Sequence, residues 1–194
     1  MFFKRQRGVT LIELILFILI VGIALTAILG VMNVTTRNSA NPVRTKQALM
    51  MAEGLLEEVQ LARFTFCDPT SDNAETATSA TACTIPEAWG QVSPEPVGPR
   101  PYDNVNDYVA AANTATAAFN ASGALADANG RAINVTGYTA TVTITPDTVG
   151  PSGSTVGAGG TAADTDMLRI TITVAYDNTS LVLDGYRARY APNN

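Results

Sequence analysis

Nineteen consecutive uncharged, mostly apolar residues run from Leu14 to Met32, directly behind the segment Gly8-Val9-Thr10-Leu11-Ile12-Glu13. At ~1.5 Å of rise per helical residue, this run nearly matches the ~30 Å hydrocarbon thickness of a bilayer, so a membrane-spanning helix is the first constraint on the fold. Glu13 stands at its edge and contradicts a plain anchor. A carboxylate in hydrocarbon costs at least ~2.5 kcal/mol on insertion scales, which makes Glu13 a candidate functional group in need of a counter-charge.

The eight residues ahead, Met1 to Gly8, carry Lys4, Arg5 and Arg7 and contain no apolar core. A secretory signal peptide places its apolar region before the cleavage site, whereas here a small residue, Gly8, precedes the apolar run. The order is inverted. No cysteine lies near the N-terminus to take a lipid. The basic leader keeps that end cytoplasmic and sends the remainder outward, which in a Gram-negative cell is the periplasm.

Gly8-Val9-Thr10-Leu11-Ile12-Glu13-Leu14, after a short basic leader and before an apolar helix, resembles the N-terminal signature of type IV prepilins and type II secretion pseudopilins. The resemblance implies that a prepilin peptidase cuts after Gly8, that the new amine of Val9 is methylated, and that Glu13 pairs with the N-terminus of a neighbouring subunit during assembly. Val9 replaces the Phe or Met usual there. Physically, a cationic α-amine near Glu13 recovers part of the cost of burying either charge alone. Glu13 lies one helical turn from Val9, so its own N-terminus and that of a neighbour are both available partners.

Beyond the span, Asn33 to Ser39 forms a polar exit, and Asn41-Pro42 predicts a helix break near Asn38 to Pro42, because proline removes a hydrogen bond and biases the preceding residue toward extended geometry. Helical spacing resumes with Ala48, Ala52, Leu55, Leu56, Val59 and Ala62 and predicts an amphipathic helix from about Val43 to Phe64, with Glu53, Glu57 and Arg63 on other faces. Phe66 to Arg100 reads as loop and holds Cys67 and Cys83, with 15 residues between them. A disulfide is expected in an exported head, and closing such a loop is worth roughly 3 kcal/mol. Asp103, Asn104, Asn106 and Asp107 crowd one short run, but the spacing is not that of an EF-hand, so turn chemistry is expected rather than a metal site.

Ala110 to Arg131 is rich in small residues and admits a short helix over Val109 to Phe119. Alternation at Tyr138 to Thr145 and at Leu168 to Tyr176 predicts strands. A Gly/Pro/Ser/Thr loop from Pro146 to Asp166 separates them, and a last strand runs from Leu181 to Tyr190 with a bulge at Asp184-Gly185. The expected fold is α+β: a long N-terminal helix packed on a small antiparallel sheet head, pilin-like. The expected organisation is a leader at 1–8, a transmembrane and assembly helix at 9–36, an amphipathic second half at 37–65, and a head at 66–194. Gln47-Ala48-Leu49 through Leu55-Leu56-Glu57-Glu58, and the run Asp103-Asn104-Val105-Asn106-Asp107-Tyr108, are also similar to D-type minor pilins of the mannose-sensitive haemagglutinin pilus.

The chain has no histidine, which removes the commonest general base and metal ligand. No nucleophile and base stand in a recognisable arrangement, so no enzyme and no cofactor are expected. Net charge is −5, and cleavage after Gly8 would remove three positive charges to leave −8 on the side chains. Such a surface disfavours nucleic acid. The expected function is a minor pilin or pilin-like structural subunit, with a type II secretion pseudopilin, or a membrane-anchored periplasmic binding module, as alternatives. The family resemblance implies prepilin peptidase, other pilins, the assembly platform and its ATPase, and the inner membrane as partners.

Overall fold

The computed structural model describes residues 8–38, 42–91, 93, 95–150 and 166–189. The chain divides into two compact units, Met1–Val43 and Arg44–Asn194.

In the first unit, α1 spans Leu11–Asn38. Its segment Leu11–Val34 is long and apolar enough to cross a membrane. The large apolar side chains point outward; Leu11 is 76% exposed and Phe17 64%. A helix apolar all round requires lipid or protein as its surroundings. Within it, the Thr26 hydroxyl donates to the carbonyls of Gly22 at 3.0 Å and Ile23 at 2.9 Å, so a polar group in the span is satisfied by its own helix. The expected break between Asn38 and Pro42 falls on residues 39–41, which lie outside the described residues, as do the basic leader residues 1–7.

α2 spans Pro42–Leu61. Proline suits its first position, where a missing N–H costs nothing. In the second unit, Ala48, Ala52, Leu55 and Val59 are buried at spacings of four, three and four, which is one helix stripe. That stripe lies on a three-stranded antiparallel meander, β3 (Tyr138–Pro146), β4 (Met167–Tyr176) and β5 (Thr179–Ala188), in the order β3-β4-β5. Ala140, Val142 and Ile144 of β3 and Leu168, Ile170, Ile172 and Val174 of β4 alternate inward and complete the core with α2. Asp177 and Asn178, with φ of 45° and 60°, form the tight turn between β4 and β5, a conformation matched to the twist of a two-residue hairpin. Of the expected loop Pro146 to Asp166, residues 151–165 lie outside the described residues, as does Tyr190.

Two expectations are corrected. β5 has no bulge: Ile170 pairs with Gly185 and Thr171 with Asp184 in unbroken register. Gly185 instead answers to packing, since a Cβ there would stand 2.6 Å from Gln60 Nε2 and 2.9 Å from Leu56 Cδ1 on α2. Nor is there a helix over Val109 to Phe119. Thr116 exchanges both backbone hydrogen bonds with Val142, at 2.8 and 2.9 Å, and Asn113 takes a φ of 60°. Pairing with the free edge of β3 outweighs the weak helical preference of an Ala/Thr/Asn stretch. A two-residue hairpin follows, β1 (Asn120–Ala121) and β2 (Ala124–Leu125), turned by Ser122 and Gly123.

Candidate functional site

The helix begins at Leu11, so Gly8, Val9 and Thr10 precede it in non-helical backbone, and all three are exposed. The Gly8–Val9 peptide bond is thus outside the helical hydrogen-bond ladder and open to solvent. Among the described residues, a Cβ added at Gly8 would meet nothing within 4 Å. Packing among those residues gives no reason for glycine there.

Glu13 is held by Thr10. Its Oε2 accepts from the Thr10 backbone N–H at 3.2 Å and from the Thr10 hydroxyl at 3.1 Å, while the Glu13 N–H reaches the Thr10 Oγ1 at 3.4 Å. This reciprocal pair is a capping box: two donors that the first helical turn cannot satisfy are covered by side chains three residues apart. The carboxylate also lies at the positive end of the helix dipole. Glu13 is therefore engaged within its own chain. Thr10 has this place because Thr-x-x-Glu ahead of an apolar run is the capping-box spacing, a signal visible in Thr10-Leu11-Ile12-Glu13.

Cys67 and Cys83 form a disulfide, with Cα atoms 5.4 Å apart. They lie in the second unit, in the region of irregular backbone expected there. Around the bond, Asp68 N–H donates to the Ile85 carbonyl at 3.1 Å and Glu87 N–H to the Phe66 carbonyl at 3.1 Å, so the loop returns antiparallel on itself. Ser71 and Asn73 add side-chain bonds: the Ser71 hydroxyl accepts from Ile85 N–H at 3.1 Å, and Asn73 Nδ2 donates to the Ala82 carbonyl at 2.6 Å.

Within the head, Glu58 and Tyr108 escaped sequence reasoning. Burial, with Glu58 next in effect, pushes the Tyr108 phenol up, and its hydroxyl donates to Glu58 Oε1 at 3.1 Å. Nothing local in the sequence marks Glu58 out from Glu57 beside it.

No curated protein and no solved structure gives a significant match to the chain. Residues 3–29 match the family model described as the prokaryotic N-terminal methylation motif, which makes the chain type IV pilin-like or pseudopilin-like at the segment where Gly8, Val9 and Glu13 stand.

Proposed function

We propose that the chain is a minor pilin of a type IV pilus of the mannose-sensitive haemagglutinin kind, a structural subunit made as a prepilin and held in the inner membrane by α1 with its head in the periplasm. Prepilin peptidase cuts after Gly8, Val9 becomes the methylated N-terminal residue, and Glu13 guides entry into the fibre. Assembly platform, ATPase and other pilins then act on the span.

The observation that carries this reading is the coincidence of the methylation motif with an exposed, non-helical Gly8–Val9 bond immediately ahead of a capped apolar helix. Among the described residues the glycine at 8 has no packing role, which fits a requirement imposed by an enzyme that reads it. Cleavage creates a cation at Val9, one turn from a carboxylate otherwise occupied by Thr10. Glu13 then exchanges a neutral cap for a charged partner, in its own chain or a neighbour's. A cationic amine, unlike the neutral Thr10 donors, also cancels the charge of the carboxylate, which recovers part of the cost of holding that charge in hydrocarbon.

The mass of the N-terminal peptide from membrane-extracted protein tests the reading. A chain that starts at methylated Val9 is the expected result. An intact Met1 in cells with active peptidase would overturn it.

A further inference from the structure

The head buries a group of acids that the pilin role leaves unused. One carboxyl oxygen from each of Glu87, Glu95 and Asp107 lies within 4.8 Å of the others, and the three residues are only 3%, 7% and 7% exposed. Glu87 and Glu95 follow the disulfide loop, whereas Asp107 belongs to a 3₁₀ turn at Val105–Tyr108. The run Asp103 to Asp107 thus makes the expected turn, and folding brings two further acids against it.

The hydrogen bonds decide which form of these acids the fold accommodates. An ionised carboxylate can only accept, and its burial is costly unless several donors or a cation offset the charge. Among the described residues, Glu87 is given one donor: its Oε2 accepts from Asn104 Nδ2 at 2.8 Å, and the same nitrogen also donates to Thr65 Oγ1 at 3.1 Å. Glu87 Oε1 is buried and accepts from none of them. Asp107 Oδ2 accepts from the Asn104 backbone N–H at 3.2 Å, which is half of the cap on the turn. Asp107 is also hydrogen-bonded to Asp103, and two carboxyls share a hydrogen bond only when one of them carries a proton.

The charges that act most strongly on Glu87 are all acidic: Asp107 first, then Glu95, Asp68 and Asp103. Glu95 and Asp103 act on Asp107 in the same sense. The cations on neighbouring elements are otherwise placed. Arg63 is exposed, Arg187 donates to the Ala62 carbonyl at 3.2 Å, and Arg189 lies over the rings of Phe64 and Phe66, 4.0 and 4.7 Å from their centres.

We propose that the folded head holds protons on Glu87 and Asp107 at neutral pH, and that these protons latch the stretch carrying Glu87 onto the 3₁₀ turn, so that the latch loosens as pH rises. The neutral acids supply the donors that the geometry lacks: Asp107 donates to Asp103, and Glu87 brings an O–H among carboxyl acceptors. Loss of these protons to solvent leaves like charges buried side by side. Asp103 is exposed and gives the proton a route out.

Burial, with the neighbouring carboxylates next, pushes the Glu87 carboxyl from its ordinary 4.5 up to about 9, and burial above all pushes the Asp107 carboxyl upward as well. Both groups therefore bind a proton more tightly in the folded chain than in the unfolded one. The contribution of Glu87 to stability is whole below 4.5 and is lost as pH rises through about 9, the reverse of an acid held in an ion pair.

Two measurements on the full chain in an ester-free detergent test the latch. The first is the infrared C=O stretch of a protonated carboxyl, which a carboxylate does not give. At neutral pH the wild type should show this band, and Glu87→Gln and Asp107→Asn should each weaken it. The second is urea unfolding followed by Trp89 fluorescence. One proton held by the folded state alone raises the unfolding constant by up to about tenfold per pH unit, so between about pH 5 and about pH 9 the constant should rise at least about tenfold more in the wild type than in Glu87→Gln. Glutamine keeps the side-chain shape and the Asn104 contact but does not ionise. Glu53→Gln, on the exposed face of α2, should follow the wild type. Absence of the protonated band from the wild type at neutral pH would overturn the proposal, whatever the variants do. So would an equal pH dependence of unfolding in the wild type and Glu87→Gln.

Discussion

Arg100 Nε lies 2.7 Å from Glu58 Oε1, and the two side chains are only 8% and 11% exposed. The same guanidinium donates to the Ala126 carbonyl at 2.6 Å and stands 5.3 Å from the centre of the Phe119 ring. Tyr108 donates to the same carboxylate oxygen. One acid on α2 thus gathers the chain at 100, 108 and 126.

Removing one partner of such a pair leaves the other charge buried and uncompensated. Arg100→Ala should destabilise the head by about 3–5 kcal/mol, whereas the paired replacement Glu58→Leu with Arg100→Met should cost clearly less, because it removes both charges. Urea unfolding of the full chain in detergent, followed by the fluorescence of Trp89, measures both. Equal losses in the two variants would show that packing, rather than the ion pair, holds this junction.

The Cys67–Cys83 bond closes a short loop whose backbone is mostly irregular. Replacing both cysteines with serine should lower stability by roughly 3 kcal/mol, the value expected for a loop of this length from chain entropy. The urea midpoint reports it. An unchanged midpoint would mean that the hydrogen bonds around Asn73 and Ser71 suffice.

Glu13→Leu removes the carboxylate but lengthens the apolar run. Membrane insertion and cleavage after Gly8 should continue, while incorporation into sheared fibres, compared with the membrane fraction by immunoblot, should fall. Thr10→Val separates the two uses of Glu13: it deletes the hydroxyl half of the cap, at a cost of about 1 kcal/mol to the helix end, and leaves the carboxylate with the backbone N–H of residue 10 and room for an amine. Incorporation should survive that change. Undiminished incorporation of Glu13→Leu would end the charge-pair role.

Tyr138 joins β3 to the start of α2. Its hydroxyl donates to Gln47 Oε1 at 2.8 Å and accepts from Arg44 Nε at 3.3 Å. Tyr138→Phe keeps the ring and loses these bonds, so a destabilisation of about 0.5–1.5 kcal/mol is expected in the same urea assay. A neutral result would assign the junction to ring packing between Tyr138 and Tyr176, whose centroids are 5.6 Å apart.

Local pattern carries the parts of this protein that interact with their surroundings along one dimension. A membrane helix must be apolar throughout, a helix lying on a sheet repeats its buried side every three or four residues, and a half-buried strand alternates. Leu14 to Met32, the stripe from Ala48 to Val59, and Val142-Ile144 with Ile170-Ile172-Val174 are therefore legible without coordinates, as is the methylation motif around Gly8 and Glu13. Loops obey no such period. The described loops between Phe66 and Phe119 are tied by contacts between residues far apart in the chain, such as the pairing of Arg63 with Asn104 and of Thr116 with Val142, which no local pattern marks.

The same division separates the acids. Glu13 stands out in the sequence because it directly adjoins nineteen uncharged, mostly apolar residues, so its oddity is local and visible. Glu58, Glu87 and Asp107 are ordinary acidic residues in their own neighbourhoods. Only the tertiary structure buries them, pairs Glu58 with Arg100 and sets Glu87 beside Asn104 and Asp107, because desolvation and Coulomb energy depend on distance in space rather than on position along the chain.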